Sequence, residues 1–184
     1  MGSLQDHFLI AMPAMGDPNF SETVAYICKH DDEGALGIVI NRPTTMTVNE
    51  IFKQYALDDV DEDQAEKRVL SGGPMQPDRG FVLHRSDAEF DSTFDPNASI
   101  KVTASQDILI RMAGGGGPSP AVVALGYAGW SAGQLESELA ANAWLSARAD
   151  PSIVFDTPYE QRWRAAASLI GVDIHQITSY SGHA

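Results

Sequence analysis

The sequence predicts one domain that mixes strands and helices, and three observations carry that expectation. Short runs rich in β-branched and aromatic residues fill the first half. Helix-start signals recur in the second half, where strand-like and helix-like segments alternate. The 184 residues are 43% hydrophobic and 20% charged, enough for a sizeable core and ordinary for a soluble globular chain.

In chain order, "HFLIAM" is a short apolar strand, and "TVAYICKH" and "ALGIVIN" follow as two more, joined at Asp31 to Gly34 by the turn "DDEG". Pro43 then bars the third strand from continuing. In "TVNEIFKQYAL", Thr47 and Glu50 have capping-box spacing, which predicts a helix. "RVLSGGP" and "RGFVLHR" read as two strands linked by a Pro/Gly turn, and "SIKVTAS" as another. Ser105 and Asp107 open a helix through "QDILIRMA". The glycines of "GGGGPSP" follow that helix and precede the strand "AVVALGY", whereas a phosphate loop runs from strand to helix. Gly114 or Gly115 is therefore expected to supply the left-handed residue that ends the helix. "GQLESELAANAWL" reads as a helix and "SIVF" as a last strand. Thr157, Pro158 and Glu160 start a final helix that ends near Gly171.

Charge and cysteine content narrow the partners. Twenty-five acids against twelve bases give a net charge of −13, and the bases are scattered. Binding a phosphate backbone needs clustered Lys and Arg that release counterions, so direct nucleic-acid binding is not expected. The acidic runs "LDDVDEDQAEKR" and "SDAEFDSTFD" read as a solvated face. A single cysteine, Cys28, excludes an internal disulfide and suits a reducing cytoplasm. No apolar run approaches the ~18 residues of a membrane helix, and the N-terminus lacks the basic region of a signal peptide. Asp6 stands where a myristoylation motif needs Ser or Thr. The expectation is a cytoplasmic protein without membrane contact.

One motif raises the question of catalysis. "GWSAG", around Ser131, fits the G-x-S-x-G nucleophile elbow. A triad in that order needs a later acid and histidine, and the candidates are Asp156 or Asp173 with His175 or His183. His183 is the penultimate residue, and His175 is two positions from Asp173. The rival reading explains more letters: Ser131 and Gln134 form S-x-x-Q, a capping box whose hydroxyl takes a backbone N–H. Ser131 is expected to be a helix N-cap. Cys28 and His30 share a strand face and could form a nucleophilic pair, but a core cysteine beside Tyr26 and Val24 is the simpler expectation. No C-x-x-C or H-x-x-x-H spacing supports zinc, and no metal or other cofactor is expected.

Three blocks, "FLIAMPAMGDPNFSETVAYICKHDDEGALGIVINRP", "LSGGPMQPDRGFVLH" and "ALGYAGWSAGQLESELAANAWL", together with "DTPYEQRWRAAASLIGVD", resemble the AlgH/YqgE family across Phe8 to Ile174. The third block in that family is G-Y-A-G-W-x-x-G-Q-L-E, in which the serine position is free. The resemblance implies a compact α+β domain with a mixed, partly barrel-like sheet flanked by helices. It brings no catalytic set and no settled activity, and members are widely labelled transcriptional regulators or proteins of unknown function.

The remaining site candidates are polar or aromatic residues in glycine-rich turns at strand ends. They are Asn41 and Arg42 in "NRP", Gly72, Gly73 and Arg79 in "SGGPMQPDRG", His84, and Tyr127 and Trp130 in "GYAGW". If they converge, they make one cleft for a small anion or a peptide segment, with Arg42 near the Trp130 indole. The expected role is that of a non-catalytic binding or regulatory protein with a protein or small-molecule partner. The alternatives are an enzyme using His84 or Cys28 in that cleft, and a transcriptional regulator acting through a partner that touches DNA. From the charge balance, the isolated protein should not retard duplex DNA in a gel-shift titration at physiological salt, and sub-micromolar, salt-sensitive retardation would contradict that.

Overall fold

The computed structural model describes residues 2–54, 66–85, 93–94, 100–115, 117–174 and 176. Most of both acidic runs, and His175 and His183, lie outside the described residues. Among the described residues, ten strands form one mixed sheet: β1 (His7–Ala11), β2 (Val24–Asp31), β3 (Gly34–Val39), β4 (Pro43–Thr47), β5 (Arg68–Ser71), β6 (Met75–His84), β7 (Thr93–Phe94), β8 (Lys101–Thr103), β9 (Ala121–Ser131) and β10 (Trp144–Arg148). Among the described residues the helices are α1 (Val48–Gln54), α2 (Asp107–Ala113), α3 (Gln134–Ala140), α4 (Pro151–Phe155) and α5 (Arg162–Ser168), with a 3₁₀ turn at Tyr159–Gln161 before the last. This is the α+β class that the sequence predicts. The main path runs β10-β1-β2-β3-β9-β6-β8-β7, and the sheet is open, since its end strands do not pair among the described residues.

The 11-residue β9 organises the sheet. Its C-terminal half pairs β3, from Gly37↔Ala128 to Gly34↔Ser131. In its N-terminal half, Ala124 faces Phe81 of antiparallel β6 on one edge and Leu70 of parallel β5 on the other. The link from β5 to β6 must therefore cross the backbone of β9. It does so at Gly72 and Gly73, which pass over Gly126 and Tyr127. A Cβ on Gly73 would lie 2.2 Å from the Tyr127 carbonyl carbon, and one on Gly126 would lie 2.4 Å from the Gly73 oxygen. Gly126 also has φ +80, a conformation that L side chains rarely adopt. "SGGP" is a crossing and not a hairpin turn.

Side chains on the two faces of the sheet build three apolar clusters. One face gathers Phe8, Tyr26, Ile38, Leu70, Phe81 and Val102 with Ile153 and Val154 of α4 and Ala166 and Ala167 of α5. A second cluster packs α1 (Ile51, Phe52) and α2 (Ile108, Met112) on Val82 and Val123. The third sets Leu135 of α3 against Leu9, Ile27, Trp130 and Trp144. Strand alternation explains the division: Ala121, Val123 and Leu125 face α1 and α2, whereas Val122 and Ala124 face the other way.

Four local expectations are corrected. "GYAGW" is not a turn, because β9 continues through it to Ser131. The helix expected over "GQLESELAANAWL" stops at Ala140; Asn142 takes φ 59, and Trp144–Arg148 leaves as β10 to cover the outer edge of β1. "SIVF" belongs to α4, not a strand, because the Asp150 side chain accepts from Ser152 N–H and Pro151 occupies the first turn. Pro43 does not stop extended backbone; Pro43–Thr47 is itself a strand paired with β5. Other expectations hold. Thr47 N–H donates to Glu50 as α1 begins, at 3.1 Å. Gly115, at φ +79, is the left-handed residue after α2.

Gly126→Ala should lower unfolding stability by more than about 2 kcal/mol, since it adds backbone strain and a clash with the crossing chain. Gly129→Ala, whose Cβ would meet its nearest neighbour at an ordinary 3.5 Å, is the control and should change stability far less in urea denaturation.

Candidate functional site

Asn41 and Arg42 follow β3, where the chain leaves the sheet beside the loop preceding β2. Asn41 Oδ1 accepts from Val24 N–H at 3.0 Å and its Nδ2 donates to Glu22 O at 2.8 Å. The Arg42 guanidinium donates to the carbonyls of Pro18, Asn19 and Ser21 at 2.9, 2.5 and 3.0 Å. Both side chains thus hold the 17–22 loop, and both also line a surface cleft of about 430 Å³. Its opposite wall is Tyr159, Glu160, Trp163 and Arg164, from the 3₁₀ turn and α5.

That wall is rigidly mounted. Trp163 Nε1 donates to Ala11 O at 2.9 Å. Buried Arg162 donates to Ile40 O at 2.6 Å and Thr157 O at 2.9 Å, and its guanidinium sits 4.6 Å from the Tyr159 ring centroid. Burial lowers the Arg162 pKa to about 10, so it stays cationic at neutral pH. Arg164 is exposed and forms no ion pair among the described residues.

The other candidates go elsewhere. Trp130 is buried in the α3 cluster, packed on Trp144 and on Phe20, with ring centroids 6.1 and 6.3 Å away. It does not stack on Arg42, but Phe20 belongs to the loop that Arg42 clamps. Gly72 meets β9 at Gly126 and Gly73 meets it at Tyr127, whose ring packs edge-on against Phe81 at 6.0 Å. Arg79 lies over the same Phe81 ring at 5.3 Å. His84 is fully buried, with Nε2 2.8 Å from Thr103 Oγ1. Burial, then the charge of Lys101, lowers its pKa to about 4, which keeps it neutral at physiological pH. Cys28 is buried and its thiol pKa is pushed up by desolvation, so no reactive thiolate forms there. Neither His84 nor Cys28 lines the Asn41–Arg42 cleft.

Ser131 is only partly the cap it was expected to be. Gln134 Oε1 does reach back to accept from Ser131 N–H at 3.0 Å, which is half of the capping box. The helix N-cap, however, is Gly133 at φ 77, and the Ser131 hydroxyl bonds Gln134 Oε1 at 3.2 Å instead of taking a backbone N–H. The glycine turn lets α3 start two residues later than the motif suggests. His30 is engaged elsewhere and makes no hydrogen bond to Ser131 among the described residues. His30 Nδ1 accepts from Leu4 N–H at 2.8 Å, which leaves the proton on Nε2, 2.5 Å from Glu136 Oε1. That hydrogen bond leads the causes that lower the Glu136 pKa.

The cleft wall from Tyr159 to Arg164 was missed as a site. Its signal stands in "TPYEQRWR", where two aromatic residues alternate with charges, but helix capping accounted for the same letters.

Comparisons with known proteins agree with this architecture. A model of the AlgH-like family matches residues 8–175. A UPF0301 protein of Saccharophagus degradans is 51% identical over 182 residues, covering 99% of this chain and 89% of the relative. One from Xanthomonas campestris is 50% identical over 181 residues, covering 98% and 96%. The solution structure of the AlgH protein of Pseudomonas aeruginosa superposes with TM-score 0.81 at 46% identity, covering 99% of this chain and 96% of that one. A crystal structure of a Corynebacterium diphtheriae protein shares the fold, with TM-score 0.74 at 18% identity, covering 96% and 92%.

Arg42→Ala should destabilise the protein by about 1–2 kcal/mol, because three loop carbonyls lose a charged donor. Ser131→Ala should cost under about 0.5 kcal/mol, as its hydroxyl satisfies no helix N–H. Paired denaturation curves check both, and equal losses would contradict the assignment.

Proposed function

The chain belongs to the AlgH-like family, and we propose that it is a non-catalytic, regulatory binding protein that takes a peptide segment of a partner in the Asn41–Arg42 cleft. The observation that carries this reading is the cleft's lining. Two aromatic residues, Tyr159 and Trp163, stand beside two guanidinium groups and two carboxylates, Glu22 and Glu160. A lone small anion would meet both carboxylates, whereas a peptide offers N–H groups to them and carboxylate or carbonyl oxygens to Arg164. Arg42 is committed to the 17–22 loop, so Arg164 is the guanidinium left to contact a partner.

Catalysis is less well supported, since the two side chains proposed for it, His84 and Cys28, are sealed in the interior. Action on DNA through a partner fits the charge of −13 better than direct contact does. No helix among the described residues is long and apolar enough to cross a membrane, and the cytoplasm is the proposed compartment.

A photo-crosslinking amino acid at Arg164 should trap a discrete protein adduct in cells, and the same probe at Lys29, outside the cleft, should not. In the chain carrying a probe at Glu160, Arg164→Glu should reduce that adduct at least about tenfold without changing thermal stability, as expected when a charged contact is reversed. Indistinguishable adducts from positions 164 and 29 would refute the cleft.

A further inference from the structure

The second opening of interest lies on the other face of the sheet, between α1, α2 and strands β6 and β9. It has a volume of about 300 Å³ and is walled by Met46, Ile51, Leu109, Val123 and Leu125. Packed interiors hold few voids larger than a water molecule, and a dry cavity of about 150 Å³ already admits benzene. We propose that this cavity is a binding site for a small apolar amine, separate from the Asn41–Arg42 cleft and independent of its role.

The sequence leaves the space open at one residue. Gly80 and Val82 share the face of β6 that looks toward α1 and α2. Gly80 has no positive φ that would require glycine, and a Cβ built on it meets only Leu125 Cδ2, at 3.8 Å. A larger residue would fit the backbone, so it is the missing side chain that empties the floor.

The mouth gives the cavity its chemical preference. Between Met75 and Gly80 the β6 register shifts: these residues face Tyr127 and Leu125 of β9, so five steps along one strand match two along the other. The surplus backbone bulges and brings Asp78 to the lining. Asp78 forms no ion pair or hydrogen bond among the described residues. Among the described residues, Gln54 and Ser105 are the other polar lining groups, and no Lys or Arg lines the cavity. Arg79, next in sequence, is turned onto Phe81. A carboxylate at an apolar mouth attracts a cationic donor and repels an anion, and the net charge of −13 acts in the same direction.

Three probes with a common phenyl body test this by methyl NMR titration of the full chain: 2-phenylethylamine, 2-phenylethanol and 3-phenylpropanoate. The amine should give saturable shifts of the Leu109, Val123 and Leu125 methyls and bind at least about tenfold more tightly than the carboxylate. Asp78→Asn should erase most of that preference while leaving the alcohol's affinity unchanged. Gly80→Leu, which fills the floor, should abolish binding of all three; if it does not fold, Val123→Phe fills the same space from β9. The proposal is overturned by absence of saturable shifts with the amine at millimolar concentration. Equal or tighter binding of the carboxylate, or binding that survives the filled cavity, overturns it as well.

Discussion

Strand β9 is gripped on both edges, and the chain that joins its two neighbours has to step across it. That crossing fixes more of the molecule than any single core contact. Gly72 N–H donates to Leu125 O and Gly72 O accepts from Val39 N–H, so the crossing ties the ends of β3 and β5 to the middle of β9. One residue earlier, Ser71 N–H donates to Arg42 O. The backbone of the cleft-lining arginine is therefore set by where β5 turns over β9. From there the guanidinium orders the 17–22 loop, and Phe20 carries that order to Trp130 and Trp144. The chain of dependence runs from a steric requirement for glycine to the shape of a surface cleft.

The two openings are made by different means. The cleft forms where elements end: β3 stops at Val39, just before Asn41, the 17–22 loop folds back, and α5 lies across the gap. Its polar groups are mostly engaged with backbone carbonyls, so the walls are stiff while Arg164, Glu22 and Glu160 stay exposed. The cavity under α1 and α2 forms within the layers, where a small residue and a register shift coincide on one strand. Stiff walls and exposed charges suit a partner that arrives with its own backbone. A partly open cavity with apolar walls and a carboxylate at its mouth suits a small molecule.

Buried ionisable groups here serve structure. His84 is held neutral between strands, and His30 bridges the N-terminal segment to α3 through Leu4 and Glu136. Arg162 keeps its charge in the interior because two carbonyls and an aromatic face replace its water. Each would draw notice as a catalytic candidate in sequence, and each is already occupied in the fold.

Local physics determined much of this protein from the sequence alone. Short runs rich in apolar, β-branched and aromatic residues marked β1, β2 and β3, the Thr47/Glu50 pair marked α1, and a left-handed glycine marked the end of α2. These signals need only neighbours within a few residues, so they survive without knowledge of the fold. The tertiary structure decided the rest, because the competing readings differed only in distant partners. "GYAGW" is a strand because β3 and β6 pair with it, and "WLSAR" becomes β10 because β1 has an open edge. Asn41 and Arg42 were legible as candidates from their place at a strand end, and both line a surface cleft. Their companions Tyr159, Trp163 and Arg164, more than a hundred positions away, were not, because only the packing of α5 against β1 and β2 brings that wall to face them.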